Sequence, residues 1–330
     1  MRGERLALAL DSGAIDLPES GRILVMRPRA GDDLSAFDRA RLHIVTGFRP
    51  DFEAFTAMGY TVSAKPEGDY AAAVVCVPRA RELTRAMFAE ASRLVAKGGP
   101  ILVDGQKTDG IESALKELKS VGAEPTAALS KAHGKIFAFN AGVDLSAWEA
   151  KTQEVDGFKT RPGVFSADGI DRGSALLAAA LPDRLPYRVA DLGAGWGYLT
   201  TEILKRNHVT EVHLVEAEAD ALEMARLNVQ DPRAVFHWAD ATKFKPVETF
   251  GAVICNPPFH SDRNAEPGLG IAFLRTAARI LSSSGTLWLV ANRQLPYQPV
   301  LETLFKEIEE IGRDSTYRLI RASRPIQVRK

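Results

Sequence analysis

Apolar residues in the second half of the chain gather in short runs: Tyr187-Arg188-Val189-Ala190-Asp191-Leu192, Val212-His213-Leu214-Val215, Val235-Phe236-His237-Trp238 and Ala252-Val253-Ile254-Cys255. Each ends in glycine, aspartate, glutamate or asparagine, and the segments between carry a helical period, as from Tyr198 to Asn207. Runs of this length predict buried strands, and their alternation with helices predicts an α/β fold around a parallel sheet. The first half carries similar runs, among them Ala71 to Arg79 and Pro100 to Val103. Between them, residues 142–159 are polar and lack a sustained apolar period, so the expected domains are 1–150 and 151–330. With 330 residues and 45% hydrophobic composition, the chain is long enough for two cores.

The strand ends carry the candidate chemistry. Gly193-Ala194-Gly195-Trp196-Gly197 follows the first run and opens a helix, so backbone can approach a ligand closely beside unpaired helix N–H groups. Glu216 ends the next run, where an acid can accept both hydroxyls of a ribose. Asp240, in Ala239-Asp240-Ala241 after the third run, is placed to accept from an adenine amino group. All lie on the carboxyl edge of the predicted sheet, where doubly wound folds bind ligands. The ligand reads as a nucleoside cofactor, NAD or S-adenosylmethionine.

Asn256-Pro257-Pro258-Phe259 decides between them. An exocyclic amine or amide nitrogen is a poor nucleophile because its lone pair is delocalised. A side-chain amide oxygen from Asn256 and the Pro257 carbonyl, accepting its two N–H bonds, would push the nitrogen towards tetrahedral geometry. Consecutive prolines fix φ and supply no competing N–H. Phe259 offers a face for stacking a base, a contact of about 1–3 kcal/mol. A turn that merely closes a strand, with Phe259 in the core, is the competing structural reading. Such a loop has no role in hydride transfer, and the spacing Gly-x-Gly-x-Gly departs from the dinucleotide fingerprint, so S-adenosylmethionine is the expected cofactor.

Residues 161–330 resemble the bacterial ribosomal RNA small-subunit guanine-N2 methyltransferases, within the class I S-adenosylmethionine-dependent superfamily. The resemblance rests on Gly163-Val164-Phe165-Ser166 with Asp168-Gly169, Asp171 and Gly173-Ser174, on Asp191 to Gly195, on Asn256 to His260, on Ala291-Asn292 with Leu295-Pro296-Tyr297, and on Tyr317-Arg318. It implies two tandem Rossmann-like methyltransferase-type domains with only the second active, and ribosomal RNA or the small ribosomal subunit as partner. The expected cofactor set is Asp191, Gly193, Gly195, Gly197, Glu216, Asp240, Ala241 and Asn256. Asn256, Pro257 and Phe259 are the expected catalytic residues, and Phe165, Phe259 and His260 the expected substrate contacts. Trp196 departs from the pattern, and two orientations are open to it: against the methionine moiety, or into the core between sheet and helix. An adenine-N6 or glutamine-amide methyltransferase, and a non-catalytic RNA-binding assembly factor, are the alternatives.

An internal repeat agrees with a tandem pair. Ala71 to Arg79 aligns with Phe250 to Cys255 and on to the prolines, and Lys97 to Val103 aligns with Ser283 to Leu289. This alignment sets Val77 against Asn256. The first copy also lacks a Gly-x-Gly turn, since Val25 to Gly31 holds one glycine, so it is expected to be degenerate and to serve RNA docking or structural support.

Composition adds limits. Cys76 and Cys255 sit in apolar strands and read as buried thiols, not a disulfide. The six histidines show no metal spacing, and no metal is expected. No apolar run reaches membrane length and no signal-peptide pattern opens the chain, so the expected compartment is the cytoplasm. Basic and acidic residues balance at 42 each. Local excess is nevertheless visible in Arg313, Arg318, Arg321, Arg324, Arg329 and Lys330 against Asp314, and in Lys159, Arg161 and Arg172; both clusters are candidate phosphate contacts.

Overall fold

The computed structural model describes residues 2–258 and 267–326. Phe259 and His260 lie outside the described residues. Two compact units divide between Thr152 and Gln153.

The first unit comprises α1 (Arg2–Asp11), β1 (Ile23–Met26), β2 (Leu42–Val45), α2 (Arg49–Ala57), β3 (Thr61–Ser63), β4 (Ala72–Cys76), α3 (Arg81–Leu94), β5 (Pro100–Gln106), α4 (Ile111–Ser120), β6 (Leu129–Lys131) and β7 (Gly134–Asn140). Its seven strands run in the order β3-β2-β1-β4-β5-β7-β6. The first five are parallel, and β7 is antiparallel to both β5 and β6. Because β1 and β4 are covered on both faces, they are uninterrupted apolar runs, as buried parallel strands are.

The second unit opens with a hairpin of β8 (Gln153–Val155) and β9 (Phe158–Thr160). Asp156 and Gly157, both at positive φ, form its two-residue turn. There follow α5 (Arg172–Ala180), β10 (Arg188–Leu192), α6 (Tyr198–Leu204), β11 (Glu211–Glu216), α7 (Ala219–Asn228), β12 (Ala234–Trp238), β13 (Phe250–Cys255), α8 (Pro267–Ile280), β14 (Leu281–Asn292), α9 (Gln298–Leu304), β15 (Phe305–Arg313) and β16 (Tyr317–Pro325). The sheet order, β12-β11-β10-β13-β14-β16-β15, repeats that of the first unit strand for strand.

Side chains repeat as well. Arg22 stands 4.6 Å from the Tyr70 ring centroid, and Arg188 stands 4.8 Å from that of Phe250. His43 on β2 packs on Tyr70 and hydrogen-bonds Ser63 on β3 at 2.9 Å. His213 on β11 packs on Phe250 and hydrogen-bonds His237 on β12, also at 2.9 Å. The trio of arginine, histidine and aromatic ring thus recurs at equivalent positions, on or just before equivalent strands, in both units.

This equivalence corrects the repeat by one residue. Ala72, Val74 and Cys76 pack on the face covered by α1, whereas Ala73, Val75 and Val77 face α3 and α4. In the second unit Ala252 and Ile254 share the α5 face, and Val253 and Cys255 share the α8 face. Side chains alternate along a strand, so Ala72 matches Ala252 and Cys76, not Val77, matches Asn256. The partners on the next strand agree, since Val74 pairs with Leu102 and Ile254 with Trp288, which keeps Gly99 against Gly285. Beside Cys76, Asp104 is fully buried and held by Arg5 at 2.6 Å and Arg2 at 2.6 Å, both from the first turns of α1.

Candidate active site

The carboxyl ends of β10, β11, β12 and β13 bring the glycine turn, Glu216, Asp240 and Asn256 to one edge, because these four strands are hydrogen-bonded in parallel register. Gly193, Gly195 and Gly197 all have positive φ. The Val215 carbonyl anchors the turn by accepting from the Gly193 N–H at 2.9 Å. The three glycines serve different ends. A Cβ on Gly195 would meet nothing within 4 Å, which leaves an open approach to backbone. One on Gly193 would lie 3.2 Å from Phe273 and 4.0 Å from the Asn256 carbonyl oxygen. One on Gly197 would lie 2.9 Å from Val229 Cγ2, so this glycine admits the packing of α6 on α7 and does not face the open edge.

Glu216 accepts the Gly195 N–H at 2.8 Å with one oxygen and the Glu218 N–H at 2.8 Å with the other. Burial raises its carboxyl above the ordinary range in spite of these donors. A carboxylate offers about four lone-pair sites, so acceptor capacity remains for a hydroxyl pair. Asp191 is different. It is fully buried beneath the turn, accepts from Thr200 Oγ1 at 2.7 Å, and leaves its second oxygen without a partner. Burial, reinforced by the nearby Glu216 charge, pushes its carboxyl up to about 7. Its place is under the loop, bracing the start of α6. Asp240 commits one oxygen to a local turn with the Thr242 N–H and hydroxyl, and its other oxygen lies 3.5 Å from Lys243. Ala241 beside it is buried.

Asn256 follows β13, with Pro257 buried and Pro258 exposed. Its Nδ2 donates to Asp171 Oδ2 at 2.9 Å and to Ser174 Oγ at 2.8 Å. Asp171 is the N-cap of α5 and accepts the Ser174 N–H at 2.8 Å, so a helix start fixes the amide. Sequence reasoning assigned these two residues no role, although an aspartate three residues before a serine at the head of an apolar helix is a capping signal.

Phe165 is 57% exposed, unusual for a phenylalanine, and its carbonyl accepts from Trp196 Nε1 at 2.9 Å. Trp196 itself is 4% exposed among Val164, Ala221 and Met224, with the Phe158 ring tilted against it at a centroid distance of 4.9 Å. The bulky residue in the turn therefore points into the core and ties the Val164-Phe165 segment to the glycine turn. Cys255 is buried with its Sγ 3.4 Å from the Leu192 carbonyl, and burial pushes its thiol well up, away from a nucleophilic thiolate.

The basic clusters are mostly matched. Arg321 pairs with Glu309 and Arg324 with Glu307 across the β15–β16 ladder, and Arg313 lies near Glu310. Arg172 pairs with Asp314, and Arg161 with Asp220 and Glu223. Acids of β15 thus answer Arg313, Arg321 and Arg324, while Arg318 donates to the Leu295 carbonyl at 3.2 Å and Arg329 and Lys330 lie outside the described residues. Among the described residues no cluster of His, Cys, Asp and Glu is arranged to hold a metal, and no helix is long and apolar enough to cross a membrane.

Comparison with known proteins fits this geometry. The family model for the methyltransferase small domain matches residues 156–321, and that for its N-terminal domain matches residues 40–150. The ribosomal RNA small subunit methyltransferase C of Ectopseudomonas mendocina is 33% identical over 273 residues, covering 78% of this chain and 81% of the relative. That of Hahella chejuensis is 27% identical over 328 residues, covering 92% and 95%. The fold superposes on a T. thermophilus 16S rRNA N2 methyltransferase, solved with AdoMet and guanosine, with a TM-score of 0.82 at 24% identity over 98% of this chain and 91% of that one. The chain belongs to the ribosomal RNA small subunit methyltransferase C family, whose two halves are the methyltransferase small domain and its N-terminal companion.

Proposed function

We propose that this chain transfers the methyl group of S-adenosylmethionine to the exocyclic N2 amine of a guanine in small-subunit ribosomal RNA. The observation that carries this reading is the adjacency of an acceptor asparagine to a nucleoside-type cofactor edge: Asn256 follows β13, the strand beside β10, and its carbonyl lies at the Gly193 turn that Glu216 braces. The open space at Gly195 fits a bound cofactor, which Gly193, Gly195, Glu216, Asp240 and the Ala241 backbone would hold. When bound, S-adenosylmethionine supplies a methyl group already activated by its sulfonium.

The protein's own contribution is then orientation. The Asn256 Oδ1 and the Pro257 carbonyl accept the two N–H bonds of the amine and direct its lone pair towards the methyl. Phe165 and Phe259 provide faces on which the extruded base stacks, which offsets part of the few kcal/mol that leaving the RNA stack costs. The alkylated nitrogen is acidic enough to lose its extra proton after attack, so no strong base is required. Relatives named as small-subunit methyltransferases, and a structural neighbour solved with guanosine, support the choice of substrate. The first unit, whose strand-end counterpart of Asn256 is Cys76, is assigned to RNA docking or to support of the second.

Incubation with labelled cofactor and, in separate reactions, small-subunit RNA, large-subunit RNA and assembled small subunits, followed by mass spectrometry of the nucleosides, tests the reading. Label in N2-methylguanosine from a small-subunit substrate is expected. Label confined to methyladenosine, or to protein, overturns it.

A further inference from the structure

We infer that Asp171 and Ser174 are positioning residues that lock the Asn256 amide with its oxygen towards the acceptor and its nitrogen away. The inference rests on the proposed methyl transfer to an amine.

An asparagine amide has a donor end and an acceptor end of nearly the same shape, and only the acceptor end can take an amine N–H. Left free, the group would present either. Here both Nδ2 hydrogens are engaged, one by the Asp171 carboxylate at 2.9 Å and one by the Ser174 hydroxyl at 2.8 Å. Among the described residues nothing donates to Oδ1. Turning the amide over would set Oδ1 against the Asp171 oxygen, two acceptors with no proton between them, so the carboxylate fixes the sense of the group as well as its position. The proton pattern also selects the substrate. An amine that offers N–H bonds meets an acceptor, whereas a ring nitrogen or carbonyl oxygen at the same place meets a lone pair.

The clamp is built into secondary structure. Asp171 caps α5 and is held by the Ser174 N–H, so its carboxylate is anchored before it reaches Asn256. Gly173 completes the arrangement by having no side chain: a Cβ there would lie 3.0 Å from Asp171 Oδ2 and 3.2 Å from the Tyr317 ring. The first unit shows the contrast. Its counterpart of Asn256 is Cys76, and the first turns of α1, which precedes β1 as α5 precedes β10, carry Arg2 and Arg5 directed at Asp104. Amide and clamp are lost together.

Steady-state and cofactor-binding measurements on full-length Ser174→Ala, Asp171→Ser and Asp171→Asn test the assignment. Serine retains a helix cap but is too short to reach Asn256, whereas asparagine retains both the cap and an acceptor oxygen. The expected result is a fall in kcat of about tenfold for Ser174→Ala, the effect of one neutral hydrogen bond, and about a hundredfold for Asp171→Ser, the low end of the effect of a preorganised polar contact, with cofactor Kd unchanged. Asp171→Asn should recover kcat to within roughly tenfold of wild type, its neutral oxygen being a weaker acceptor. An active wild type whose kcat is untouched by Ser174→Ala and Asp171→Ser overturns the clamp, as does a loss in Asp171→Asn equal to that in Asp171→Ser. A wild type that methylates no amine sinks the functional reading itself, a separate result.

Discussion

Asp191 shows how a single buried acid links the glycine turn to pH. Its carboxyl is raised from 3.8 to about 7 by burial first and by Glu216 second, with Thr200 opposing. The folded state therefore holds a proton that the unfolded chain has released, and the stability this acid permits is lost as pH rises from about 4 through about 7. Asp191→Asn mimics the protonated form and escapes that loss. Urea midpoints at pH 5, 6, 7 and 8 should show the variant gaining on wild type as pH rises, with the gap levelling off above about 7. Parallel curves would mean that the acid is ionised throughout. Asp191 was legible as part of the loop motif, but its position beneath the loop was not, because a motif gives sequence neighbours and not the Thr200 hydroxyl one helical turn inside α6. The same limit left Asp171 and Ser174 without a role: their partner, Asn256, lies on a distant strand.

The strand ends were the most legible elements, since four apolar runs in sequence became β10, β11, β12 and β13 with their acids and asparagine at one edge. Three hairpins escaped: β6–β7, β8–β9 and β15–β16. For β8 and β9 the signal was present, as Asp156-Gly157 favours a two-residue turn. Of β15 and β16, only the basic residues and the Tyr317-Arg318 motif were read, and the pairing of the two strands sets Glu307 and Glu309 against Arg324 and Arg321. Neutralising both arginines to alanine should accordingly leave the slope of log binding constant against log salt unchanged for RNA; a slope reduced by about two would restore them as phosphate contacts. The helix α6 depends on a different device. Gly197 stands at φ 94 with Val229 Cγ2 2.9 Å from where a Cβ would project. Gly197→Ala should destabilise by about 1–2 kcal/mol through the left-handed backbone alone, and by more as its Cβ strains the α6–α7 packing, visible in the urea midpoint.

Taken as a chain of two units, the protein carries one fold twice in its strand order and one candidate site once. The duplication was legible from apolar runs and the Gly99 and Gly285 positions, but its phase was not. A continuous apolar run buried on both faces carries no alternation, so a slip of one residue costs nothing in sequence and reverses every side chain in space. The packing of Cys76 on the α1 face restores the phase and places a thiol, not an amide, at the counterpart of Asn256. Calorimetric titration of the full chain should therefore return one S-adenosylmethionine site; two would contradict the assignment of the first unit to docking or support.

In the proposed mechanism the Asn256 oxygen holds the amine during transfer and does not hold the cofactor. Single-turnover methyl transfer to small-subunit RNA at saturating cofactor, compared between wild type and Asn256→Ala, tests it most directly. The expected rate for the variant is lower by ~10²–10³ with cofactor Kd unchanged. A variant that transfers methyl at nearly the wild-type rate would contradict it.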